Sequence, residues 1–305
     1  MSALVRWISE PGFYPDLDAT RYFQDPAPTP SVSQSWIKRE AEASPYHAAN
    51  DHPRLNPYGT RKGSKAAHLF LGDAVHRLAL GKGREISIVR YPDYKSEAAR
   101  NDRDAAIANG RIPILQRVHV QAFDMAELVK AKIVETLGGA PYETEVPIFW
   151  TEEVTLPSGQ VVTVWCRGML DVWCPSLAWI LDVKTMSGLA SDEGIAKQIE
   201  NNDYAVQGRF YPRGVERILP ELAGRVKFDF LWIESGEPYG HRATPLDGST
   251  RHTGDLMVDM GLQAFAEGMA SGVWPSYPQD GAPIGVRPFY HQRIEARAAA
   301  RGFQP

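Results

Sequence analysis

Two apolar stretches of the sequence each carry a single aspartate. The stretches run from Arg167 to Trp173 (RGMLDVW) and from Trp179 to Thr185 (WILDVKT), and they hold Asp171 and Asp182. Their Val, Ile, Leu and Trp residues are typical of strands buried on both faces of a sheet, where a carboxylate is costly unless its charge is compensated. A bound divalent cation would provide that compensation, so the pattern indicates a metal site.

The spacing of the stretches brings further charged side chains to the same place. If the intervening CPSLA is the turn of an antiparallel hairpin, Asp171 lies opposite Asp182, where like charges repel each other. Lys184 follows Asp182 by two residues and therefore points to the same face of its strand. An earlier hairpin is expected to turn at residues 157–159 (PSG), which places Glu145 near Asp171 unless a bulge shifts the register.

Three carboxylates and a lysine at one end of a sheet suit the hydrolysis of a phosphodiester. The candidate metal ligands are the side chains of Asp171, Asp182 and Glu145 and the main-chain carbonyl of Val183. Mg²⁺, or Mn²⁺ in its place, prefers such oxygen ligands, and two ions would activate water and stabilise the leaving oxygen. Lys184 would orient the attacking water or help to deprotonate it, and would stabilise the developing negative charge.

The composition is that of an ordinary globular protein. The chain has 305 residues, of which 43% are hydrophobic and 23% charged, enough for one elaborated domain or for two. Its two cysteines, Cys166 and Cys174, are expected to be small buried residues, and they are too few to ligate an iron–sulfur cluster. No apolar run reaches the ~18–20 residues of a membrane span, and the first residues lack a signal peptide's apolar core. A cytoplasmic protein is therefore expected.

The charges are distributed unevenly along the chain. A net charge of −4 argues mildly against binding to nucleic acid, for which a basic domain is usual. Between Arg54 and Arg90, however, eight Lys or Arg residues face only Asp73 and Glu85, a local charge of +6 (8 − 2). This segment is either an ordinary solvated surface or a patch that binds DNA phosphates.

The remaining residues predict an α/β (or α+β) fold with a mixed sheet of about five strands flanked by helices. Two further strands are expected at Val226–Ile233 and Gly240–Leu246. Helices are expected at Ser31–Ser44, Gly63–Leu80, Arg111–Thr136, Ser191–Leu219 (interrupted near Pro212) and Gly254–Ala270, with a polar helix or loop at Asn101–Gly110 and an irregular tail. The second helix carries His76, and the fourth carries Tyr204, Gln207 and Tyr211 on one face.

These residues, in this order, resemble the PD-(D/E)XK nuclease superfamily, which has a restriction-endonuclease-like core. The resemblance rests on Glu145, Asp171, the Asp182-Val183-Lys184 run and a helix with Gln207 and Tyr211. More narrowly, the chain is similar to the RecE-type (exonuclease VIII) exonucleases of phage recombination. The segments that carry this narrower resemblance are SPYH (44–47), LGDAVH (71–76), TEVPIFW (144–150), WILDVKT (179–185) and DYAVQGRFY (203–211).

The resemblance implies a role for each matched residue of the metal site. Asp171 and Asp182 would be metal ligands, and Glu145 would be a ligand or lie beside one. Lys184 would be the catalytic lysine. His76 would join the site from its helix, a role that a lone histidine on a helix does not itself suggest.

The resemblance also implies how the rest of the chain is organised. Gln207 and Tyr211 would brace the site or contact the DNA end. Residues 1–60 would form an N-terminal extension with one helix, residues 61–280 the nuclease domain and residues 281–305 a tail. Asp73 replaces the small residue that is usual between Gly72 and Ala74 in such helices, so it could be an additional carboxylate of the metal site.

The activity implied is that of a Mg²⁺-dependent exonuclease that degrades linear double-stranded DNA from 5′ to 3′. The resemblance further implies a ring-shaped homo-oligomer, a trimer or tetramer, and a single-strand annealing protein as partner in phage or prophage recombination. Two alternatives stay open: a structure-specific or restriction-type DNA endonuclease of the same fold, and a DNA-binding module without catalysis.

Overall fold

The computed structural model describes residues 8–56, 67–277 and 281–303, except for the side chains of residues 67–69. The strands are β1 (Gly12–Phe13), β2 (Ser31–Ser33), β3 (Ile86–Val89), β4 (Ile112–Leu115), β5 (Glu143–Thr155), β6 (Val161–Cys174), β7 (Trp179–Met186), β8 (Lys227–Glu234) and β9 (His241–Pro245). The helices are α1 (Ala19–Phe23), α2 (Gln34–Glu42), α3 (Pro45–Asp51), α4 (Ala67–Leu80), α5 (Glu97–Ala108), α6 (Gln116–Thr136), α7 (Asp192–Asn201), α8 (Tyr204–Ile218), α9 (Gly248–Ser271) and α10 (Pro288–Ala299). The chain divides into two units, Met1–Pro275 and Ser276–Pro305, and α10 belongs to the second.

Seven strands of the first unit form one mixed sheet. Its order is β1-β5-β6-β7-β8-β9, and β2 pairs with β6 outside this path. The pairs β7–β8 and β2–β6 are parallel, and the other neighbours are antiparallel. The predicted mixed sheet flanked by helices is confirmed. The five expected strands are β5 to β9, and the two short strands β1 and β2 widen the sheet.

Helices cover both faces of the sheet because side chains along each central strand alternate between the faces. In β8, Phe230 and Trp232 pack into a buried cluster with residues of α2, α8 and α9. Leu231 and Ile233 of the same strand pack into a second cluster with residues of α4 and α6. Burial of each such side chain stabilises the fold by about 1.5–3 kcal/mol. The sheet therefore separates two helical layers, and α4 and α8 lie on opposite sides of it.

The hairpin of β6 and β7 has the predicted register and then opens into a fork. Val172 pairs with Leu181, and the next pair in this register, beyond the end of the ladder, is Asp171 with Asp182. Further along β6, the short strand β2 pairs with residues 165–167. Residues 168–171 of β6 therefore lie in a fork, between the end of the β7 ladder and the start of the β2 ladder, where no strand pairs with this edge of β6. Asp171 lies in this fork.

Glu145 occupies the corresponding position on the other side of Asp171. Thr144 pairs with Val172 and Val146 with Leu170, so Glu145 lies opposite Asp171 as the turn at residues 157–159 predicts. Glu145 itself is missing from this ladder, and its φ of 47° lies in the left-handed region. This conformation costs a residue with a side chain about 1–3 kcal/mol, so the surrounding strands must hold it in place.

Three segments differ from the sequence expectations. Residues 112–115, expected to begin the long helix, instead form β4, which pairs in parallel with β3. These four residues, Ile-Pro-Ile-Leu, are all buried, and Pro113 has no N–H to donate within a helix. The expected helix of residues 191–219 is two helices, α7 and α8, with Pro212 inside the second. Within the first 60 residues, the described part holds α1, α2 and α3 rather than one helix.

The two cysteines lie inside the sheet. Cys166 and Cys174 are buried and neither forms a disulfide, which confirms the prediction that they are small buried residues. Burial raises the pKa of the Cys166 thiol well above its usual value, so this group stays uncharged. In the described ranges, no helix combines the length and the apolarity that crossing a bilayer requires.

Close contact between α8 and α9 depends on Gly254, and we predict that Gly254→Ala destabilises the protein. An added Cβ would lie 2.4 Å from the main-chain oxygen of Ala205, so the helices must separate. Overpacking of this kind costs about 1–3 kcal/mol. Urea denaturation followed by circular dichroism measures the change. Gly248→Ala in the same helix is the matched control, because its Cβ would have no neighbour within 4 Å. Equal stability of the two variants would contradict the prediction.

Candidate metal centre

Three side chains from α4, β5 and β6 form a candidate metal centre. One possible ligand atom from each of His76, Glu145 and Asp171 lies within 4.8 Å of the other two. Asp171 is buried and the other two are partly buried. The register of β5 and β6 brings the two carboxylates together, and α4 adds the imidazole from the side of the sheet that it covers.

The ring of His76 is held in one orientation by the main chain of β7. Its Nε2 lies 2.8 Å from the carbonyl oxygen of Val183. A carbonyl can only accept, so Nε2 carries a proton and donates it, and Nδ1 lies 3.7 Å from Oδ2 of Asp171. Metal-binding histidines are commonly held by such a bond from the second ring nitrogen. The main-chain oxygen of Val183, expected to be a metal ligand, is thus engaged by His76.

Close approach of α4 to β7 depends on Gly72, one turn before His76. A Cβ at this position would lie 2.8 Å from the hydroxyl oxygen of Thr185. The glycine of the LGDAVH segment therefore lets the helix come near enough for His76 to reach the main chain of Val183.

Asp171 is held by the same residue of β7. Its Oδ2 accepts a hydrogen bond of 2.8 Å from the N–H of Val183, in place of the strand partner that the fork removes. One carboxylate oxygen is therefore used to fix the side chain. The same Oδ2 lies 3.7 Å from His76 Nδ1, so the bond from Val183 fixes the oxygen that faces the imidazole.

Asp182 lies beside the centre and organises a second group of residues. It is fully buried, and its two oxygens accept hydrogen bonds from Lys184 Nζ and Gln207 Nε2. Lys184 Nζ also lies 4.9 Å from the centroid of the Tyr204 ring. Asp182 is not among the three residues of the 4.8 Å cluster in the described part of the chain. Asp182, Lys184 and Gln207 thus form a hydrogen-bonded triad next to the centre.

Tyr211, on the same helix as Gln207, packs against the main chain of β6. Two of its ring carbons lie 3.0 Å from the position of a Cβ at Gly168. Its hydroxyl hydrogen-bonds with the main chain of Met169. Burial raises the pKa of Tyr211 well above its usual value, so it stays neutral and braces the strand that carries Asp171.

The positive charges of the protein do not fully balance the negative charges of the carboxyl groups at the site. Burial and the nearby charge of Asp171 raise the pKa of Glu145 to about 7. Burial raises the pKa of Asp182 to about 6, with Lys184 opposing the shift and Asp171 adding to it. Burial by itself would lower the pKa of Lys184, but Asp182 and Asp171 outweigh it and the pKa is raised. Lys184 therefore remains an ammonium group. Its single positive charge does not balance the negative charges of Glu145, Asp171 and Asp182 together.

The donor set fits a divalent cation that prefers oxygen ligands. Two carboxylates and one imidazole nitrogen, with room for water, suit Mn²⁺ and also Mg²⁺. A cation between Glu145 and Asp171 would remove the repulsion that raises the pKa of Glu145. His76, Glu145 and Asp171 are thus the residues that would hold the ion.

Two cavities meet at this centre. The larger, of about 1020 Å³, is lined by His76, Glu145 and Lys184 and by three basic residues, Arg77, Lys82 and Arg84. The smaller, of about 450 Å³, is lined by Asp171 and Tyr211 together with Gln34 and Arg167. Glu145 lines both cavities. A chain-like substrate could therefore pass along both sides of the cluster.

The basic segment contributes to the larger cavity only in part. Arg84 pairs with Asp73 at 2.5 Å, and Arg77 pairs with Glu85 at 2.7 Å. Asp73 lines the cavity but is bound by Arg84, and it is not one of the three clustered residues in the described ranges. Lys82 Nζ bonds to the main-chain oxygen of Pro15. Arg61, Lys62 and Lys65, which belong to the same predicted patch, lie outside the described residues.

Two basic residues near the centre are not indicated as functional by the motifs of the sequence. Arg167 is buried and bonds to Ser31 and Asp25, while it lines the smaller cavity with Asp171. It precedes Asp171 by four residues, so the alternation of a strand places both on one face and could have indicated it. Lys38 of α2 lies with its Nζ 4.6 Å from the centroid of the Tyr204 ring. No spacing in the sequence connects Lys38 with the metal centre.

Comparison with known proteins supports the fold. No protein-family model and no curated protein matches the sequence. A crystal structure from Eubacterium rectale, whose description as an exonuclease is itself provisional, is 14% identical, with a TM-score of 0.56, and the match covers 92% of this chain and 98% of that one. A second solved structure, SSO0001, is 16% identical over 65% of this chain and 87% of that one, but its TM-score of 0.25 is too low to establish a common fold. The first likeness supports a nuclease-like fold.

The raised pKa of Glu145 predicts how the stability of the metal-free protein depends on pH. Its pKa is about 7 in the fold against a usual 4.5, so between these values the folded state binds more protons than the unfolded state. The free energy of unfolding therefore falls as pH rises through this window. Glu145→Gln cannot ionise at this position, so it should lack this decrease in the free energy of unfolding. We expect the variant to be more stable than wild type at pH 7.5 in EDTA, by on the order of 1–3 kcal/mol.

Urea denaturation at pH 5 and pH 7.5 checks this prediction. The two proteins should differ less at pH 5, where Glu145 is largely protonated in the fold. Glu153→Gln is the control, because Glu153 is on the same strand with an exposed side chain. A Glu145→Gln variant that is no more stable than wild type at pH 7.5 would refute the electrostatic account.

Proposed function

We propose that the protein is a divalent-metal-dependent exonuclease that hydrolyses phosphodiester bonds of linear double-stranded DNA. The observation that carries the proposal is the cluster of His76, Glu145 and Asp171 beside the bonded pair of Asp182 and Lys184. Two clustered carboxylates and a histidine provide ligands for a cation, and the partly buried ammonium group of Lys184 lies next to them. This is the combination that phosphodiester hydrolysis requires.

The protein's own residues have distinct parts in this reaction. A divalent cation held by His76, Glu145 and Asp171 would supply Lewis acidity at the phosphate and help to activate water. Lys184 keeps its proton because its pKa is raised, so it stabilises the charge that develops on phosphate oxygens rather than acting as a base. Asp182 holds the ammonium group in place, and Gln207 fixes the orientation of Asp182.

The substrate is inferred from the surroundings of the cluster. Arg77, Lys82 and Arg84 line the larger cavity, where basic side chains favour a polyanion. The description of the Eubacterium rectale protein as an exonuclease favours action at DNA ends. The resemblance to RecE-type enzymes is the basis for proposing Mg²⁺ as the ion, 5′-to-3′ digestion, a homo-oligomeric ring, a single-strand annealing partner and a role in phage recombination in a bacterial host.

Digestion of linear duplex DNA labelled at the 5′ or the 3′ end tests the proposal. We expect degradation that needs Mg²⁺ or Mn²⁺, with early release of the 5′ label, while covalently closed circles survive. Efficient cutting of closed circles would show that the protein is an endonuclease of the same fold and not an exonuclease. Absence of any cleavage, with DNA binding retained, would favour a binding module.

The position of Lys184 predicts that Lys184→Gln lowers kcat by about 10²–10³-fold, because the variant removes a charged donor aimed at the reaction site. Gln retains an amide that can still bond to Asp182, so the buried carboxyl keeps a partner. Initial rates on linear duplex measure the effect, and thermal unfolding checks that the fold is intact. Lys130→Gln is the control, since Lys130 pairs with Glu127 at 2.8 Å on the surface of α6. A rate for Lys184→Gln equal to that of this control would contradict the assigned role.

A further inference from the structure

We infer that Lys38 binds a phosphate of the cleaved DNA strand, next to the scissile phosphate and on the side of the site where Lys184 lies. The inference rests on the proposed function, and it adds a substrate-binding residue from the N-terminal segment to a site otherwise built by α4, β5, β6, β7 and α8. No ordered motif of the sequence includes Lys38.

Lys38 and Lys184 share one aromatic neighbour. Lys38 Nζ is 4.6 Å and Lys184 Nζ 4.9 Å from the centroid of the Tyr204 ring. A ring can attract a cation through its face, but this attraction is worth only about 0.5–2 kcal/mol and does not neutralise charge. The two lysines therefore share a neighbour that cannot balance their charges.

The two lysines differ in what compensates them. Lys184 is bonded to Asp182. Within the described residues, by contrast, no carboxylate oxygen lies within 4.0 Å of Lys38 Nζ. Burial lowers the pKa of Lys38 to about 7, the charge of Lys184 adds to the shift, and the more distant carboxylates of Asp182 and Asp203 oppose it without cancelling it. A lysine that loses solvation and forms no close ion pair with a described carboxylate is placed to bind an anion of another molecule.

The position of Lys38 on α2 directs that anion toward the site. Gln34 lies four residues earlier, on the same face of the helix and about 6 Å along its axis. Gln34 lines the smaller cavity with Asp171 and Glu145, and its side-chain oxygen is buried without a hydrogen-bond partner among the described residues. One face of α2 thus extends from the metal cluster to the Tyr204 ring, and a strand that follows it would bring a phosphate to Lys38.

The salt dependence of DNA binding tests the inference. Binding of a fluorescein-labelled linear duplex is measured by anisotropy at several KCl concentrations, with Ca²⁺ replacing Mg²⁺. Each phosphate contact contributes about 0.7–0.9 to the slope of log affinity against log salt concentration. We expect Lys38→Met to reduce the slope by one such contribution, and Lys38→Arg, which keeps the charge, to retain it. Lys130→Met is the control, because Lys130 pairs with Glu127 on α6.

The outcomes separate this inference from the proposed function. If Lys38→Met changes thermal stability but leaves the slope at the wild-type value, Lys38 only packs against Tyr204 and the inference is overturned. If wild type cleaves DNA while the slope of Lys38→Met is unchanged, the inference alone fails. If wild type binds with a slope that depends on Lys38 but does not cleave with Mg²⁺ or Mn²⁺, the proposed function alone fails. A wild-type protein that does not bind the duplex would overturn both.

Discussion

The candidate site depends on the main chain of a single residue, Val183. Its N–H donates to Asp171 and its carbonyl accepts from His76, so one peptide segment of β7 positions side chains from β6 and α4. This is possible because β7 separates from β6 just beyond the pair of Val172 and Leu181. A regular hairpin would have used strand partners at this point. The fork leaves these main-chain groups to side chains, and the side chains thereby acquire fixed positions.

The electrostatics of the site follow from the same geometry. Burial and mutual repulsion raise the pKa of Glu145 to about 7 and contribute to the raised pKa of Asp182. The left-handed conformation of Glu145 adds a further local cost. The buried apolar side chains between the sheet and the two helical layers offset these costs. A bound cation would relieve the repulsion, so binding and stability are coupled.

Much of this arrangement can be predicted from local sequence patterns, since the register of each hairpin follows from its turn. For this reason the sequence predicts that Asp171 approaches Asp182 and that Glu145 approaches Asp171. The sequence does not predict the fork, because the fork requires β2, whose residues precede their partners in β6 by more than a hundred positions. Lys38 was missed for the same reason, as α2 meets Tyr204 only in the tertiary structure. Whether His76 reaches the carbonyl of Val183 likewise depends on how closely α4 approaches the sheet.

Electron paramagnetic resonance of Mn²⁺ added to the protein tests whether His76, Glu145 and Asp171 form a metal centre, because it reports which atoms bind the ion. His76 Nδ1 is the one nitrogen in the cluster of three candidate ligands. We expect one Mn²⁺ site with hyperfine coupling to a single imidazole nitrogen. The coupling should disappear in His76→Ala and be retained in His241→Ala, because the ring of His241 bonds to the main chain of Tyr239. Mn²⁺ that stays free in solution, or that binds with no nitrogen coupling, would contradict this expectation.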